Sequence, residues 1–290
     1  MKIQWYPGHM TKAKRAMQED IKLIDLIIEM RDARIPLASS NPDIAKLGAA
    51  KSRIIILNKA DMAEEEINAQ WVAYFKERGT ECMLLDSRQK HIVKKLQPLI
   101  EKASAAKRER DLKRGILNRP VRAMVAGIPN VGKSTLINSI AGRASAKTGN
   151  KPGVTKGNQW IRLNKNIELL DTPGILWPKF EDEHVGTMIA FIGSINDLTI
   201  DVRELAVELL NFLLRRKHQL LEERFGSEFI QKDALSCLQE IALRRGCLKK
   251  GGELDLEKAA NLFLTEFRNA KLGRISLEKP EDFADEREIE

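Results

Sequence analysis

The sequence reads Val121-Arg-Ala-Met-Val-Ala126, then Gly127-Ile-Pro-Asn-Val-Gly132-Lys133-Ser134, then Thr135-Leu-Ile-Asn-Ser-Ile140. The first part is typical of a buried strand, the last of a helix, and the middle matches G-x-x-x-x-G-K-[ST] in full. Glycines let backbone N–H groups surround phosphate oxygens, and the start of a helix adds a partial positive charge. The stretch therefore predicts a strand–loop–helix unit that binds the phosphates of a nucleotide.

The side chains of this loop predict specific roles. Lys133 is expected to reach the β- and γ-phosphates, which makes it a catalytic candidate, and the Ser134 hydroxyl is expected to hold Mg²⁺. The residues expected to contact the nucleotide along the loop are Asn130, Val131, Gly132, Lys133, Ser134 and Thr135.

Two motifs downstream add to the phosphate site. Asp171-Thr-Pro-Gly174 follows the apolar run Ile167–Leu170, so Asp171 is expected to hold Mg²⁺ through water and the Gly174 N–H to face the γ-phosphate. Pro152-Gly-Val-Thr155 lies between the two motifs, and its Thr155 hydroxyl is expected to complete the Mg²⁺ shell. Each motif is common by itself, and their order after a phosphate loop is what makes them informative.

A base-recognition motif lies upstream. Asn58-Lys59-Ala60-Asp61 follows the strand pattern Ile54–Leu57 and matches N-K-x-D. The Asp61 carboxylate accepts two hydrogen bonds from guanine, whereas adenine leaves the acid unpaired. Lys59 is expected to lie over the base, and Asn58 to tie this loop to the phosphate loop. The motif predicts GTP and GDP as ligands, and the alternative for such a motif alone is a polar turn.

The order of the motifs predicts the architecture. In most GTPases the base motif lies downstream of the phosphate loop, but here Asn58 precedes Gly127 by 69 residues. The predicted fold is α/β: a P-loop NTPase domain with a circularly permuted, mostly parallel sheet, followed by a smaller all-α domain. The domains predicted are 1–178, with a basic connector at 102–120, and 179–290, with an acidic tail. Further predicted elements are strands at Leu23–Met30 and Cys82–Leu85, and helices around 67–75, Val93–Ala103, Leu205–Leu214, Phe229–Leu243 and Leu256–Arg268.

Charge is unevenly divided along the chain. Residues 1–178 carry 32 Lys and Arg against 18 Asp and Glu, a net charge of +14, and residues 179–290 carry 17 against 23, a net charge of −6. The basic half favours a polyanionic partner such as RNA, with a solvated lysine-rich surface as the alternative. No apolar run approaches the roughly 18 residues of a membrane span. With three cysteines lacking metal-site spacing and no signal-peptide pattern, a cytoplasmic protein without membrane contact is expected.

The motif order resembles the circularly permuted GTPases of the YlqF/YawG group. The likeness extends to Trp5–Met10, Asp32–Pro36, Leu176–Phe180 and Arg245–Leu248. It implies GTP hydrolysis to GDP and phosphate, in late maturation of the bacterial large ribosomal subunit, activated by the particle. The implied partners are the rRNA and ribosomal proteins of the subunit precursor, with the helical domain on rRNA, and a monomer is expected.

The resemblance also suggests how hydrolysis proceeds. Ile175 stands where many GTPases have a water-orienting Gln, and His9 is the family's substitute; the alternative is a turn histidine that packs on Trp5 or caps a helix beginning near Thr11. Asn130 resembles the asparagine that holds K⁺ in potassium-stimulated relatives, and the alternative is a loop cap. Asp86-Ser87-Arg88 departs from the usual Ser-Ala pair of the fifth GTPase motif, and only Ser87 is retained as a GTP-binding candidate.

Other functions stay open at this point. One is an RNA-binding scaffold whose GTP site turns over very slowly, and another is a GTPase for a different RNA process or for membrane signalling. The sequence contains no modification-domain cysteine motif or lipidation site that would favour the latter. A P-loop kinase is disfavoured because Asp61 selects guanine.

Overall fold

A computed structural model describes residues 8–89, 91–117, 119–141, 159–177, 180, 182–226, 229 and 232–283, with the backbone alone for 8–13. A six-stranded sheet forms its centre. The strands are β1 (Leu26–Asp32), β2 (Ser52–Asn58), β3 (Glu81–Leu85), β4 (Val121–Ala126), β5 (Gln159–Asn164) and β6 (Ile167–Asp171). Their order across the sheet is β3-β2-β1-β4-β6-β5. All neighbouring pairs are parallel except β5 with β6. The predicted α/β class and mostly parallel sheet are confirmed.

Parallel pairing brings the carboxyl ends of the strands to one edge. Asp32 pairs with Asn58, Asn58 pairs with Leu85, and Val125 pairs with Asp171. The loops that follow these strands therefore begin side by side, although they are far apart in the chain. This is the edge at which open parallel sheets bind their ligands.

Helices cover the sheet. They are α1 (Gly8–Asp20), α2 (Pro42–Leu47), α3 (Glu65–Glu77), α4 (Ile92–Ala103), α5 (Ala105–Lys113) and α6 (Lys133–Ala141). One apolar cluster joins α1 and the sheet through Met17, Ile27 and Met124. A second cluster places Trp71 of α3, which is fully buried, against Ile55 and Leu57 of β2. The alternation of strand and helix in the sequence is thus realised as a layered core.

One predicted strand requires correction, and one strand of the sheet is absent from the predictions. The strand predicted at Leu23–Met30 runs instead from Leu26 to Asp32, because residues 21–23 form a short 3-10 turn and the charged residues at 31 and 32 are buried. Strand β5 was not predicted, because its burial does not follow a clean apolar pattern and its pairing with β6 is antiparallel.

The helical unit comprises residues 180–275. Its helices are α7 (Glu183–Phe191), α8 (Val202–Arg216), α9 (His218–Phe225), α10 (Ala234–Arg244) and α11 (Leu256–Arg268). Asp201, Asp233 and Asp255 cap the starts of α8, α10 and α11 by accepting backbone N–H bonds. The helix predicted at Phe229–Leu243 begins at residue 234, because the Asp233 cap sets its first turn.

The C-terminal segment, residues 276–283, packs with the sheet unit of residues 8–177. The Glu278 carboxylate accepts the Leu37 N–H at 2.7 Å and the Ala38 N–H at 2.9 Å. The Trp71 indole donates to the Glu278 carbonyl at 3.2 Å, and Phe283 contacts the Trp71 ring. This grouping departs from the predicted division, which placed all of 179–290 in the helical domain. The first boundary of the helical unit, between residues 179 and 180, lies next to the predicted one.

Candidate nucleotide-binding site

The phosphate loop joins β4 to α6 at the carboxyl edge of the sheet. Gly127 has φ 153° and Gly132 has φ 100°, and a Cβ atom would meet the Met30 carbonyl at the first and the Asn58 amide at the second. Asn130 has φ 60°, a left-handed conformation that asparagine tolerates better than most residues. The loop backbone is therefore pressed against the neighbouring strands, and side chains are excluded from two of its positions.

Lys133 and Asp171 form the electrostatic centre of this loop. Lys133 is buried, and its Nζ donates to the Gly127 and Ile128 carbonyls, both at 2.9 Å. Burial lowers the pKa of Lys133 to about 8 and raises the pKa of Asp171 to about 6, and each group partly offsets the shift of the other. The Asp171 Oδ1 atom is buried and has no hydrogen-bond partner within the described residues.

The Asp171–Gly174 turn lies against the phosphate loop. A Cβ atom on Gly174 would lie 2.8 Å from Lys133 Nζ and 2.8 Å from the Pro129 Cα. The Thr172 hydroxyl donates to the Val125 carbonyl at 2.9 Å, which ties the Asp171–Gly174 turn to β4. Glycine is thus needed at 174 because the two loops approach closely.

The base motif is joined to the phosphate loop by direct hydrogen bonds. Asn58 Nδ2 donates to the Val131 carbonyl at 2.6 Å, which is the link expected of this residue. The same side chain pairs with Ser87: Asn58 Nδ2 donates to the Ser87 hydroxyl at 3.2 Å, and the Ser87 N–H donates to Asn58 Oδ1 at 3.0 Å. Three loops that follow β2, β3 and β4 therefore meet at one buried amide.

The lysine of the base motif is anchored from β1. Lys59 has φ 58°, and its Nζ lies 3.0 Å from Asp32 Oδ2. Asp32 is fully buried and also receives two hydrogen bonds from the Arg34 guanidinium, at 2.8 and 2.9 Å. Burial alone would raise the pKa of Asp32, but Arg34 and Lys59 hold it well below its usual range. The sequence motif at Asp32–Pro36 does not indicate this ion pair, because the pairing of Asp32 with Lys59 depends on the parallel register of β1 and β2.

The Asp61 carboxylate has two unlike oxygens. Its Oδ2 accepts a hydrogen bond from Arg88 Nη2 at 2.6 Å, whereas its Oδ1 is buried and has no partner among the residues described. Arg88 also pairs with Asp86, through Nε at 2.8 Å. Of residues 86–88, only Ser87 is predicted from the sequence to contact GTP; the departure from a Ser-Ala pair is the sequence signal for a role of Asp86 and Arg88.

The position of the water-orienting glutamine is occupied by a core residue. Ile175 is buried in the cluster that contains Met17 of α1, and its carbonyl accepts the Asn41 amide at 2.8 Å. His9 lies in the first turn of α1, which begins at Gly8 and not near Thr11, so the expected turn is helical at this residue. The structure describes the backbone of His9 but not its side chain.

The remaining expected contributors are Thr155, Ser134 and Thr135. Thr155 and the rest of Pro152–Thr155 lie outside the described residues, so the structure does not place them. Ser134 and Thr135 lie in the first turn of α6, directly after the loop.

Within the described part of the chain, no helix is long and apolar enough to cross a membrane.

A magnesium ion fits the residues present. An unpartnered buried carboxylate oxygen at Asp171 is the kind of ligand that a hard cation requires, and Ser134 follows Lys133 at the helix start. The described residues contain no cluster of three or more His, Cys, Asp or Glu side chains suited to a metal. A cation here would therefore depend on few protein ligands together with phosphate oxygens, as is usual for Mg²⁺ bound with a nucleotide.

Fold and site together define a P-loop GTPase whose base motif precedes its phosphate loop. A family model described as 50S ribosome-binding GTPase matches residues 122–235. Ribosome biogenesis GTPase A of Bacillus cereus is 44% identical over 286 residues, covering 99% of this chain and 97% of that protein. The Thermotoga maritima protein of the same name is 34% identical, covering 97% and 95%. The crystal structure of GNP-bound YlqF from T. maritima has a TM-score of 0.66 at 30% identity, covering 93% of this chain and 99% of that one.

The chain belongs to the ribosome biogenesis GTPase A family. It is a GTPase, and the identity extends over nearly its full length, well beyond the phosphate loop. The base motif at 58–61 lies outside the range of the family model, as the permuted order requires. The predicted class of enzyme and the predicted resemblance are both confirmed.

Proposed function

We propose that this chain hydrolyses GTP as an assembly factor in late maturation of the large ribosomal subunit, and that the particle activates hydrolysis. The observation that carries the proposal is the hydrogen bond from Asn58 Nδ2 to the Val131 carbonyl, at 2.6 Å. It joins the guanine motif to the phosphate loop, in a chain similar to proteins named ribosome biogenesis GTPase A. The partners proposed are the rRNA and ribosomal proteins of the subunit precursor.

The proposed nucleotide contacts are supported by the meeting of the base-motif loop and the phosphate loop at Asn58. Asp61 accepts the guanine donors, Lys59 lies over the base, and Asn58 with Ser87 holds the base loop beside residues 130–132. Lys133 exchanges its two loop carbonyls for phosphate oxygens when a nucleotide enters. Ser134, Thr155 and, through water, Asp171 would hold Mg²⁺, which would supply positive charge beside the phosphates.

His9 is proposed to orient the attacking water. Ile175 is committed to the apolar core, so its side chain is not available to a polar substrate. Met17 of α1 belongs to the same cluster as Ile175, and His9 lies eight residues before it, about 12 Å along the helix axis. A neutral imidazole orients water at physiological pH.

Potassium is proposed to assist at Asn130. A K⁺ ion beside the phosphate loop supplies positive charge that an arginine supplies in other GTPases. The left-handed φ of Asn130 is an independent reason for asparagine, and it is the alternative to cation binding. Faster turnover in K⁺ than in Na⁺ supports the ion, and equal rates remove it.

The RNA contact is proposed to use both units. In α5 and the residues after it, Arg110 and Arg114 are exposed and make no ion pair within the described residues, whereas Lys107 is paired with Asp111. In the helical unit, Arg215, Arg216 and Phe212 line a cavity of about 410 Å³. By contrast, Arg244 and Arg245 are paired with Glu240 and Glu266. Replacing Arg110 and Arg114 by Ala should weaken binding and lower the salt dependence by about two phosphate contacts.

The test is GTP turnover with and without purified large ribosomal subunits, in K⁺ and in Na⁺, for wild type and His9→Ala. We expect strong stimulation by subunits that is lost in His9→Ala while GDP affinity is unchanged. The second candidate is an RNA-binding scaffold whose GTP site turns over very slowly, and an absence of stimulation together with tight particle binding would favour it. We also propose that the protein is cytoplasmic and monomeric. Light scattering of the purified protein checks the monomeric state.

A further inference from the structure

The Arg88 side chain bridges two carboxylates beside the base motif. Its Nη2 donates to Asp61 Oδ2 at 2.6 Å and to Asp86 Oδ2 at 3.1 Å, while its Nε donates to Asp86 Oδ1 at 2.8 Å. The Arg88 backbone N–H adds a hydrogen bond to Asp86 Oδ1 at 3.0 Å. The guanidinium therefore connects the loop after β2 with the loop after β3.

Asp86 fixes the direction of this guanidinium. A planar fork held by two bonds to one carboxylate has its remaining N–H groups pointing in set directions. The Asp86 side chain is 15% exposed, whereas the Arg88 side chain is 60% exposed. The more buried Asp86 side chain therefore holds the Arg88 side chain, which contacts Asp61 from the solvent side.

The hydrogen bond from Arg88 occupies one oxygen of the Asp61 carboxylate and leaves the other available to a ligand. Oδ1 of Asp61 is buried and has no partner among the residues described, while Oδ2 is occupied by Arg88. A carboxylate has about four lone-pair sites, so Oδ2 retains room for a second donor. Guanine offers two adjacent donors, N1–H and the exocyclic amine, and both must meet a carboxylate in one orientation.

We propose that Arg88, held by Asp86, is a specificity-determining residue that fixes the orientation of the Asp61 carboxylate for guanine. The inference rests on the proposed guanine site. It also accounts for the departure from a Ser-Ala pair at residues 86–88, because the added side chains form this clamp. Arg88 acts through Asp61, so it is a positioning residue.

Fixing one carboxylate matters most for a base with two donors. Hypoxanthine lacks the exocyclic amine and uses a single donor, so a nucleotide that carries it loses less affinity when the Asp61 carboxylate is free to rotate. Adenine does not use the carboxylate as an acceptor for these bonds. Removal of Arg88 should therefore weaken the binding of GDP more than the binding of IDP and leave the affinity for ADP unchanged.

The experiment is calorimetric titration of GDP, IDP and ADP into wild type, Arg88→Ala, Arg88→Lys and Arg78→Ala. Because the bridge is partly exposed, we expect Arg88→Ala to raise the Kd for GDP about two- to fivefold and to lower the GDP-to-IDP preference. Arg88→Lys should retain only part of the GDP affinity and preference, since a lysine ammonium cannot form the two-pronged hydrogen bonds of a guanidinium. Arg78 contacts Tyr74 at the surface, so Arg78→Ala is a control for lost charge. GDP binding by Arg88→Ala that equals or exceeds wild type would overturn the inference, and tighter binding would mean that Arg88 competes with guanine.

Asp61→Asn separates this inference from the guanine site itself. If Asp61→Asn leaves GDP affinity unchanged, the proposed base motif fails. If Asp61→Asn weakens GDP while Arg88→Ala does not, only the role of Arg88 fails. In the Asp61→Asn background, Arg88→Ala should have no further effect, because no carboxylate remains to be fixed. Additive losses would show that Arg88 acts on the nucleotide by another route and would also overturn the inference.

Discussion

Asn58→Ala tests the buried amide at which three loops of the site meet. Asn58 is 1% exposed and makes hydrogen bonds to the Val131 carbonyl and to both the N–H and the hydroxyl of Ser87. Alanine removes all three and adds no partner. Since Val131 and Ser87 are themselves buried, water has little access to the groups left behind.

The expected loss follows from those groups. A buried donor or acceptor without a partner costs about 1–3 kcal/mol, and Asn58→Ala leaves the Val131 carbonyl and the Ser87 N–H in that state. Partial relaxation of the loops reduces the sum, so we expect the free energy of unfolding to fall by about 2–4 kcal/mol. This is a large fraction of the roughly 5–15 kcal/mol that stabilises a domain.

Urea unfolding followed by tryptophan fluorescence measures this loss. Trp71, Trp160 and Trp177 lie in the sheet unit and no tryptophan lies between residues 180 and 275, so the fluorescence reports mainly on the sheet unit. Asn261→Ala is the control, because its Nδ2 donates to a backbone carbonyl at 2.9 Å on the exposed surface of α11. It should change stability by less than about 0.7 kcal/mol, within the range of helix propensities. If Asn58→Ala loses no more than this control, the buried amide does not hold the loops together and the reasoning is refuted.

Three further predictions concern other parts of the structure. Burial raises the pKa of Glu278 to about 7 from its usual 4.5, so the native carboxyl keeps its proton to higher pH than the unfolded one. The stability contributed by this carboxyl should be fully present below pH 4.5 and be lost as pH rises through about 7, by about 3 kcal/mol at most, and Glu278→Gln should remove this part of the pH dependence measured by urea unfolding. Gly132→Ala places a Cβ against Asn58 at φ 100° and should weaken GDP binding about tenfold or more, as measured by calorimetry; near-normal affinity would contradict the close approach. Arg268 donates to Asp197 and to two backbone carbonyls of the helical unit, so Arg268→Ala should lower local stability by about 2 kcal/mol, seen as faster hydrogen exchange in α7 and α11.

Features set by neighbouring residues were predictable from the chain. The phosphate loop lies between β4 and α6 as expected, and the α3 helix carries Trp71 on its buried face and ends before Gly79, which has φ 68°. Both depend on local periodicity and on glycine's backbone freedom. The class of enzyme followed in the same way, because the GTPase motifs are short and each is read within a few residues.

Contacts between distant residues were not predictable. Glu278 reaches Leu37 across 241 positions, and nothing near Glu278 indicates that its carboxylate is buried. The pairing of Asp32 with Lys59 depends on the register of two strands, and the bond from Arg88 to Asp61 depends on two loops that begin at the same edge.

The amino-acid sequence alone predicts which residues bind phosphate and which distinguish guanine, and it shows that the two motifs stand in permuted order. Only the folded chain brings them together, because parallel pairing aligns the carboxyl ends of β2, β3 and β4 regardless of their order in the sequence. The fold also decides which charges are paired: Asp171 Oδ1 is left without a partner in the described structure, whereas Asp32 is held by two cations. Burial and hydrogen-bond geometry set that difference, and two aspartates at the ends of apolar strands look alike until their neighbours are known.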